Sequence, residues 1–449
     1  MQKLLDKKTE KINYSNDSTL TIEKIEQFYT TKKNQTLQYG LEYERISLDK
    51  KTHKNASYTK LKKIIEHYSL ICAWELVFDN NTLIGAKNNS GSSISLEPGN
   101  QLEISLCPKE SIIDIDIELT KIVELLDKIA EVYDVIFVGY GFNPSNATSE
   151  IEILNKTRYR IMDSYLPYCT KGELVQKMMR QTAGIQVNID YLNKKDAYLK
   201  LLFFNLISPF TLGLFSNSPI ENNSICPYKS NRGYIWMYSG ENRCNFFYKN
   251  IFNKFFFKYS NIFKNYINEI LDIPMVYIER DNKAVPIQGK ITFREFMNNG
   301  FLDYKACYSD YILHQSLCFP DVRLKNYIEI RNHDSSDIKT ALGLCAFYKG
   351  LSLNNIQELL STFSYLKIKD IPSYNKSAAI FGLDFTINKN KSAWEVVEAL
   401  FELSAKKLNS KEKVYLNPIY NLIKQRKTKA DIAIEYGLDN IQELISYLY

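Results

Sequence analysis

Two glutamates lie close together in ISLEPGNQLEIS, residues 94–105, with Glu97 and Glu103 on either side of a Pro-Gly-Asn turn. Apolar and polar residues alternate on both flanks, the pattern of a β-hairpin with one polar face. Like charges facing each other across a hairpin repel. Either the two carboxylates splay into water or something positive lies between them. Three more segments share this design. LEYER (41–45) sets Glu42 and Glu44 against Leu41 and Tyr43. GIQVNIDY (184–191) sets Gln186, Asn188 and Asp190 against Ile185, Val187 and Ile189. NYIEIRNHD (326–334) sets Glu329 and Arg331 against Ile328 and Ile330. In a strand, residues two apart share a side. A sheet with one face in water would also alternate. These faces, however, collect Glu, Gln, Asn and Arg rather than the Lys, Thr and Ser of a solvated face.

Clustered carboxylates have two main chemical uses. A pair flanking a scissile bond makes a glycosidase. Several around hard cations make a magnesium site, usually completed by phosphate oxygens. Glu42, Glu44, Glu97, Glu103 and Glu329 are too many for the first use and suit more than one cation. Arg158, Arg232, Arg243, Arg323 and Arg331 supply the complement, because a guanidinium fork holds carboxylate and phosphate. The sequence has no P-loop, and GYGFNP (139–144) is not a dinucleotide fingerprint. A bound nucleotide must therefore rest on metals and arginines over a sheet.

The elements that must position these residues are legible in outline. The chain has 449 residues and is 45% hydrophobic, enough to bury a large core. Ile115, Leu119, Ile122, Leu126 and Ile129 recur at helical spacing and lead into a buried strand, DVIFV, closed by the GYGFNP turn. Residues 1–20 are polar and read as a loose arm or first helix. Beyond about Leu351 the pattern is mostly helical. No Pro/Gly/Ser-rich linker divides the chain, so residues 1–449 read as one catalytic domain.

Composition narrows the partners. The net charge of +6 is mild for this length. The basic-aromatic run Tyr248–Ile270 could stack nucleic-acid bases, but its spacing reads as an amphipathic helix with Phe and Ile inward. Eight cysteines are scattered with no C-x-x-C pair, which excludes a structural zinc motif and fits a reducing compartment. Leu201–Phe215 is short for a membrane span and carries Asn205 and Pro209, so it reads as a core element. The N-terminus shows no apolar signal core. The expectation is a cytoplasmic monomer or homodimer that binds neither membrane nor nucleic acid. His53, His67, His314 and His333 fit no metal spacing. His333 falls beside the polar strand face, as a substrate contact or as an exposed residue after the strand.

Longer segments carry a resemblance. NTLIGAKNNSGSSISLEPGNQLEIS, GLEYERISLD, VGYGFNP, TRYRIMDSYLP, MMRQTAGIQVNIDY, LFSNSP, NRGYIW, LDIPMVYIER, TFREFM and FPDVRLKNYIEIR resemble the plant and proteobacterial type of glutamate–cysteine ligase. They occur in the family's order from about Gln38 onward. The resemblance implies an α+β fold of glutamine-synthetase-like design, with a curved antiparallel sheet forming a half-barrel around the site and helices outside. It implies ATP as co-substrate, Mg2+ or Mn2+ as cofactor, and L-glutamate and L-cysteine as substrates. The product is γ-glutamylcysteine, formed through a γ-glutamyl phosphate, the first step of glutathione biosynthesis.

By the resemblance, Glu42, Glu44, Glu97, Glu103 and Glu329 are the metal-binding carboxylates. Glu97, Glu329 and Arg331 are catalytic. Arg158, Arg232, Thr182 and Trp236 bind the amino-acid substrate. Gln186, Asn188, Arg323 and Arg331 line the nucleotide. The chain departs from the family's common pattern at Leu106-Cys107-Pro108, at Thr182-Ala183-Gly184 and at Arg331-Asn332-His333-Asp334, leaving a ligase with a different amine acceptor as the alternative. A non-catalytic nucleic-acid-binding protein is the remote one.

Overall fold

The computed structural model describes residues 20–30, 36–169, 172–244, 259–281, 283–287, 291–388 and 391–436. The N-terminal arm and the first part of the basic-aromatic run lie outside them. A nine-stranded antiparallel sheet organises the molecule. Its strands are β1 (Tyr39–Asp49), β2 (Glu75–Asp79), β3 (Thr82–Lys87), β4 (Ser93–Leu96), β5 (Leu102–Ser105), β6 (Val135–Val138), β7 (Gly184–Ile189), β8 (Val322–Leu324) and β9 (Ile328–Asp334). Their order is β8-β9-β7-β1-β5-β4-β3-β2, with β6 paired to the far end of β1. The four segments with one polar face thus fall in one sheet, as their alternation predicts. The expected α+β class with an antiparallel sheet is what the structure has.

Register decides what meets on the polar face. Glu42 pairs with Gln186, Glu44 with Glu103, and Glu329 with Asn188. Leu41, Tyr43, Ile185, Val187, Ile328 and Ile330 are buried in one apolar cluster on the opposite side. Slipping a strand by one residue would exchange the two sets, so apolar burial fixes the carboxylates in place.

Helices cover the sheet. α1 (Tyr58–Cys72) and α2 (Ile112–Val132) pack together on the β1 side. In α2 the anticipated stripe Ile115, Leu119, Ile122, Leu126 and Ile129 is buried. Ser111 caps the helix, accepting a hydrogen bond from the Ile113 amide at 3.1 Å. Arg45 of β1 reaches Asp127 of α2 at 2.6 Å. α3 (Thr157–Cys169) and α4 (Gly172–Gln181) precede β7. α5 (Lys194–Leu214) is long and apolar enough to cross a membrane, but 83% of its apolar window is buried inside the protein. It is the core helix that the sequence predicts.

α6 (Asn231–Ser239) is held at its first turn from three directions. The Ser230 hydroxyl accepts from the Gly233 amide at 2.9 Å. The Ser230 amide donates to Ala379 O at 3.0 Å, near the end of α9 (Ile371–Phe381); α7 (Tyr308–Ser316) and α8 (Ile338–Ser352) lie between them in sequence. The buried Asp334 carboxylate accepts from the Ser218 and Ser230 hydroxyls at 2.6 and 2.8 Å and from the Asn217 amide at 2.8 Å. Beyond Leu351 the described residues are mostly helical, with α10 (Ala393–Lys407) and a short ribbon at Thr386–Asn388 and Lys391–Ser392. Of the basic-aromatic run, Ile262–Leu271 is a helix whose Ile262, Phe263, Tyr266, Ile267 and Ile270 are buried, the amphipathic form expected.

Strict alternation fails once. Between Ile330 and His333 the register with β7 shifts by one residue, so His333 pairs with Ile185. This bulge turns His333 from the polar face into the core. There Nε2 meets the Tyr348 hydroxyl at 3.0 Å and Phe215 packs edge-on. Burial, with Arg232 adding to it, pulls the imidazole pKa down to about 3, so it is neutral. His333 is neither exposed nor a site residue, contrary to both readings.

The turn between Glu97 and Glu103 is built on Gly99. A Cβ there would stand 2.0 Å from the carbonyl oxygen of Arg180. Gly99→Ala should lower unfolding free energy by ~1–3 kcal/mol, the usual penalty of overpacking, read as the urea midpoint. An unchanged midpoint would show that the hairpin does not rest on this close approach.

Candidate active site

A cavity of about 360 Å³ opens over the polar face of the sheet, within the range of small-molecule sites. Its wall includes Glu42, Glu44, Glu97, Glu103 and Glu329, together with Arg158, Arg323, Arg331, Thr182, Gln186 and Trp236. Four β-segments, the start of α3 and Trp236 of α6 therefore bring together most of the residues singled out from sequence, while Arg232 lines a smaller pocket that shares Trp236, Phe319 and Arg331 with this one.

The carboxylates crowd one another. Glu97 lies within hydrogen-bonding reach of Glu103, and burial together with that charge raises the Glu103 pKa to about 7. The Ser105 and Ser95 hydroxyls donate to Glu103 at 2.6 and 3.1 Å. Burial, then Glu329 and Glu103, raise Glu42 to about 7. Burial also raises Glu44 to about 7, with Arg232 opposing and Glu103 adding to the rise. Raised carboxylate pKa values mean that the negative charge there is under-compensated.

The other end of the cavity is cationic. Glu329 accepts a two-pronged ion pair from Arg323, with Nη2 to Oε1 at 3.0 Å. Lys325 joins Oε1 at 2.9 Å and Arg331 stands at 3.3 Å. These cations hold Glu329 well below the ordinary carboxylate range despite its burial. Three cations around one carboxylate leave a net positive corner.

All five glutamates expected to bind metal lie on this wall, but their side chains are not equally free. Among the described residues no three acidic, His or Cys side chains stand together as a metal-binding group. Glu329 is committed to Arg323 and Lys325. Glu44 accepts from the Gly184 amide at 2.5 Å and the Gln186 amide group at 2.7 Å. Glu97 and Glu103 remain as a close pair of hard oxygen donors whose repulsion a divalent cation would offset, with Glu42 adding negative charge nearby.

The two arginines expected to hold substrate sit on different supports. Arg158 donates to the Ser316 hydroxyl and carbonyl, both at 3.1 Å. Arg232 donates to Arg331 O at 2.9 Å, and burial lowers its pKa against the pull of Glu44. No hydrogen bond or ion pair joins the two guanidinium groups among the described residues. Arg232 lies 5.7 Å from the Trp236 ring, whose buried Nε1 has no hydrogen-bond partner among the described residues. The Thr182 hydroxyl donates to Met178 O at 2.6 Å while lining the cavity. Asn188 bonds to Glu42 at 2.9 Å and is absent from the cavity wall, so it supports a carboxylate rather than a nucleotide. Arg243 is buried on the carbonyls of Leu317 and Pro274, a structural brace.

In the segments that depart from the family's pattern, Thr182 and Arg331 line the cavity, whereas the differing residues Leu106, Cys107, Ala183, Gly184, Asn332 and His333 do not. A Cβ on Gly184 would meet Arg232 Nη2 at 2.4 Å, so the small residue makes room for that guanidinium. Leu106 and His333 are buried in the core. Lys325 and Tyr327 were overlooked, although the odd-numbered series Arg323, Lys325, Tyr327, Glu329, Arg331 carries the signal. Lys156 and Tyr159 had no periodic signal, since they sit where a loop enters α3.

The model of glutamate–cysteine ligase family 2 matches residues 38–365. The chain belongs to this family. It is 28% identical over 403 residues to the chloroplastic glutamate–cysteine ligase of Nicotiana tabacum, covering 88% of this chain and 75% of that protein. It is 30% identical over 333 residues to glutamate–cysteine ligase B, chloroplastic, of Oryza sativa subsp. japonica, covering 72% of this chain and 65% of that protein. The crystal structure of glutamate–cysteine ligase from Francisella tularensis in complex with AMP superposes with a TM-score of 0.56 at 14% identity, covering 91% of this chain and 86% of that one. At that identity the likeness establishes the fold. The expectation of a cytoplasmic protein is overturned, because the relatives from tobacco, rice and Arabidopsis thaliana are chloroplastic enzymes.

Glu329 is ion-paired with Arg323 and Lys325, and its removal has a defined cost. Glu329→Gln leaves the buried Arg323 without its counter-charge and should destabilise the fold by ~3–5 kcal/mol, measured by urea unfolding without ligands. A loss under about 1 kcal/mol would return Glu329 to the free carboxylates.

Proposed function

We propose that the protein is an ATP-dependent ligase that joins the γ-carboxylate of L-glutamate to the amine of L-cysteine through a γ-glutamyl phosphate. The observation that carries this reading is one cavity with two opposite walls, carboxylates at Glu97 and Glu103 and a net positive corner at Arg323, Lys325 and Arg331. One apolar cluster runs from Leu20 to Ile423, which supports treating the described residues as a single catalytic unit.

The chemistry asks for both walls. A carboxylate is a poor electrophile and must be activated by phosphoryl transfer, which brings two anions together. Positioning and charge stabilisation do most of the work in such a step. Arg323, Lys325 and Arg331 receive phosphate oxygens, and Arg331 is braced by Gln186 at 2.8 Å. Arg232, fixed by the first turn of α6, and Arg158 hold the glutamate carboxylate, with Trp236 closing the wall. The oxygen donors of Glu97, Glu103 and Glu42 fit Mg2+ or Mn2+, which when bound supplies the positive charge that offsets their repulsion and that of phosphate. The AMP bound to the Francisella relative supports a nucleotide at this site. Cysteine as the acceptor is supported by Leu106, Gly184 and His333, which differ from the family's pattern without lining the cavity.

ADP release with glutamate, ATP, magnesium and a panel of amines tests the reading. L-Cysteine should exceed L-alanine, L-serine and 2-aminobutyrate by roughly tenfold or more in kcat/KM, and chelator should abolish turnover. Dominance of a non-thiol amine would assign another acceptor. Glu97→Gln should lower kcat about a hundredfold or more through lost transition-state stabilisation. Arg232→Lys, which lacks the planar fork, should raise the KM for glutamate and leave that for ATP nearly unchanged. Equal effects on both would displace Arg232 from the glutamate site.

A further inference from the structure

We propose that Lys156 anchors the α-carboxylate of the acceptor amino acid, a deepening that rests on the ligase reading. Lys156 lies on the same cavity wall as Glu97 and Arg158, and both charges act on it. Its ammonium sits 4.5 Å from the centre of the Tyr159 ring and donates to the Tyr159 hydroxyl at 3.3 Å. Among the described residues no carboxylate comes within ion-pair distance of it. The Tyr159 hydroxyl in turn reaches Glu97 Oε1 at 3.3 Å and Leu96 O at 3.4 Å. Lys156 is therefore one phenol away from the carboxylate end of the site. Burial holds its pKa below the ordinary lysine value, with Glu97 opposing and Arg158 adding to the shift.

The reaction brings three fixed anionic groups into this cavity: the phosphates, the α-carboxylate of glutamate and the α-carboxylate of the acceptor. Arg323, Lys325 and Arg331 form the phosphate corner. Arg232 and Arg158 serve glutamate. Lys87 also lines the cavity but is paired with Glu75 at 3.0 Å, so Lys156 is the unpaired cavity cation that remains, and the acceptor's carboxylate is the remaining anion. A desolvated ammonium with no counter-charge gains more from a bound carboxylate than a solvated one does. An α-amino acid carries its amine one carbon from its carboxylate. An acceptor seated on Lys156 thus presents its amine at the Glu97 end.

The test compares L-cysteine with cysteamine, which keeps the thiol and amine but lacks the carboxylate. Wild-type enzyme should prefer cysteine. Lys156→Gln should cut kcat/KM for cysteine roughly 10- to 100-fold, the size of one charge-assisted hydrogen bond, and leave cysteamine within about twofold. That residual cysteamine turnover also certifies the fold. Lys156→Arg should recover part of the cysteine activity. The KM values for glutamate and ATP should stay within about twofold. Equal losses for both amines, or a change confined to glutamate or ATP, would overturn the assignment. A wild-type enzyme that releases no ADP with glutamate and cysteine would instead defeat the ligase reading itself.

Discussion

Like charge held out of water is the constraint on which this structure depends. Glu42 and Glu103 are buried and Glu44 half-buried on one sheet face, and Glu97 lies against Glu103. Burying an ionised carboxylate is costly unless it is paired or hydrogen-bonded. The protein answers differently at each end of the cavity. At Glu329 it supplies three cations. At Glu97 and Glu103 it supplies two serine hydroxyls and a tyrosine, but no internal cation bridges the pair. The first solution builds a rigid positive corner, and the second leaves a place for a charge from outside.

The remaining architecture keeps those charges where they are. Leucine, isoleucine and valine on the reverse of each strand fix the register, and with it the pairing of Glu44 with Glu103. Asp334, Ser218 and Ser230 fix the first turn of α6, and with it Arg232. The carbonyl of Ala379 adds a support from α9, in residues beyond the stretch that the family model matches. Lys349 and Glu412, at 2.7 Å, tie α8 to the C-terminal helices. The site is thus braced by elements far from it in sequence.

The period-two alternation in LEYER, GIQVNIDY and NYIEIR made the sheet and its polar face legible, because apolar burial enforces it. The stripe from Ile115 to Ile129 did the same for α2. His333 misled because a bulge adds one residue and reverses the parity, and no side-chain pattern marks that. The pairing of Glu329 was hidden for another reason. Residue type shows that a carboxylate is present, whereas only three dimensions show that Arg323 and Lys325 already neutralise it. Asn188 and Arg243 were similarly spent on a carboxylate and on carbonyls. Lys156 escaped because its position is set by a loop and by an aromatic ring three residues on, not by a strand period.

The central claim is that the Glu97–Glu103 pair is a repulsive contact awaiting a cation. Thermal unfolding with and without Mg2+, in the wild type and in the Glu97→Gln/Glu103→Gln variant, tests it directly. The account predicts that Mg2+ raises the wild-type melting temperature, and that the variant melts higher than the wild type without metal and no longer responds to it. A wild type indifferent to Mg2+, or a metal-free variant less stable than the wild type, would contradict it.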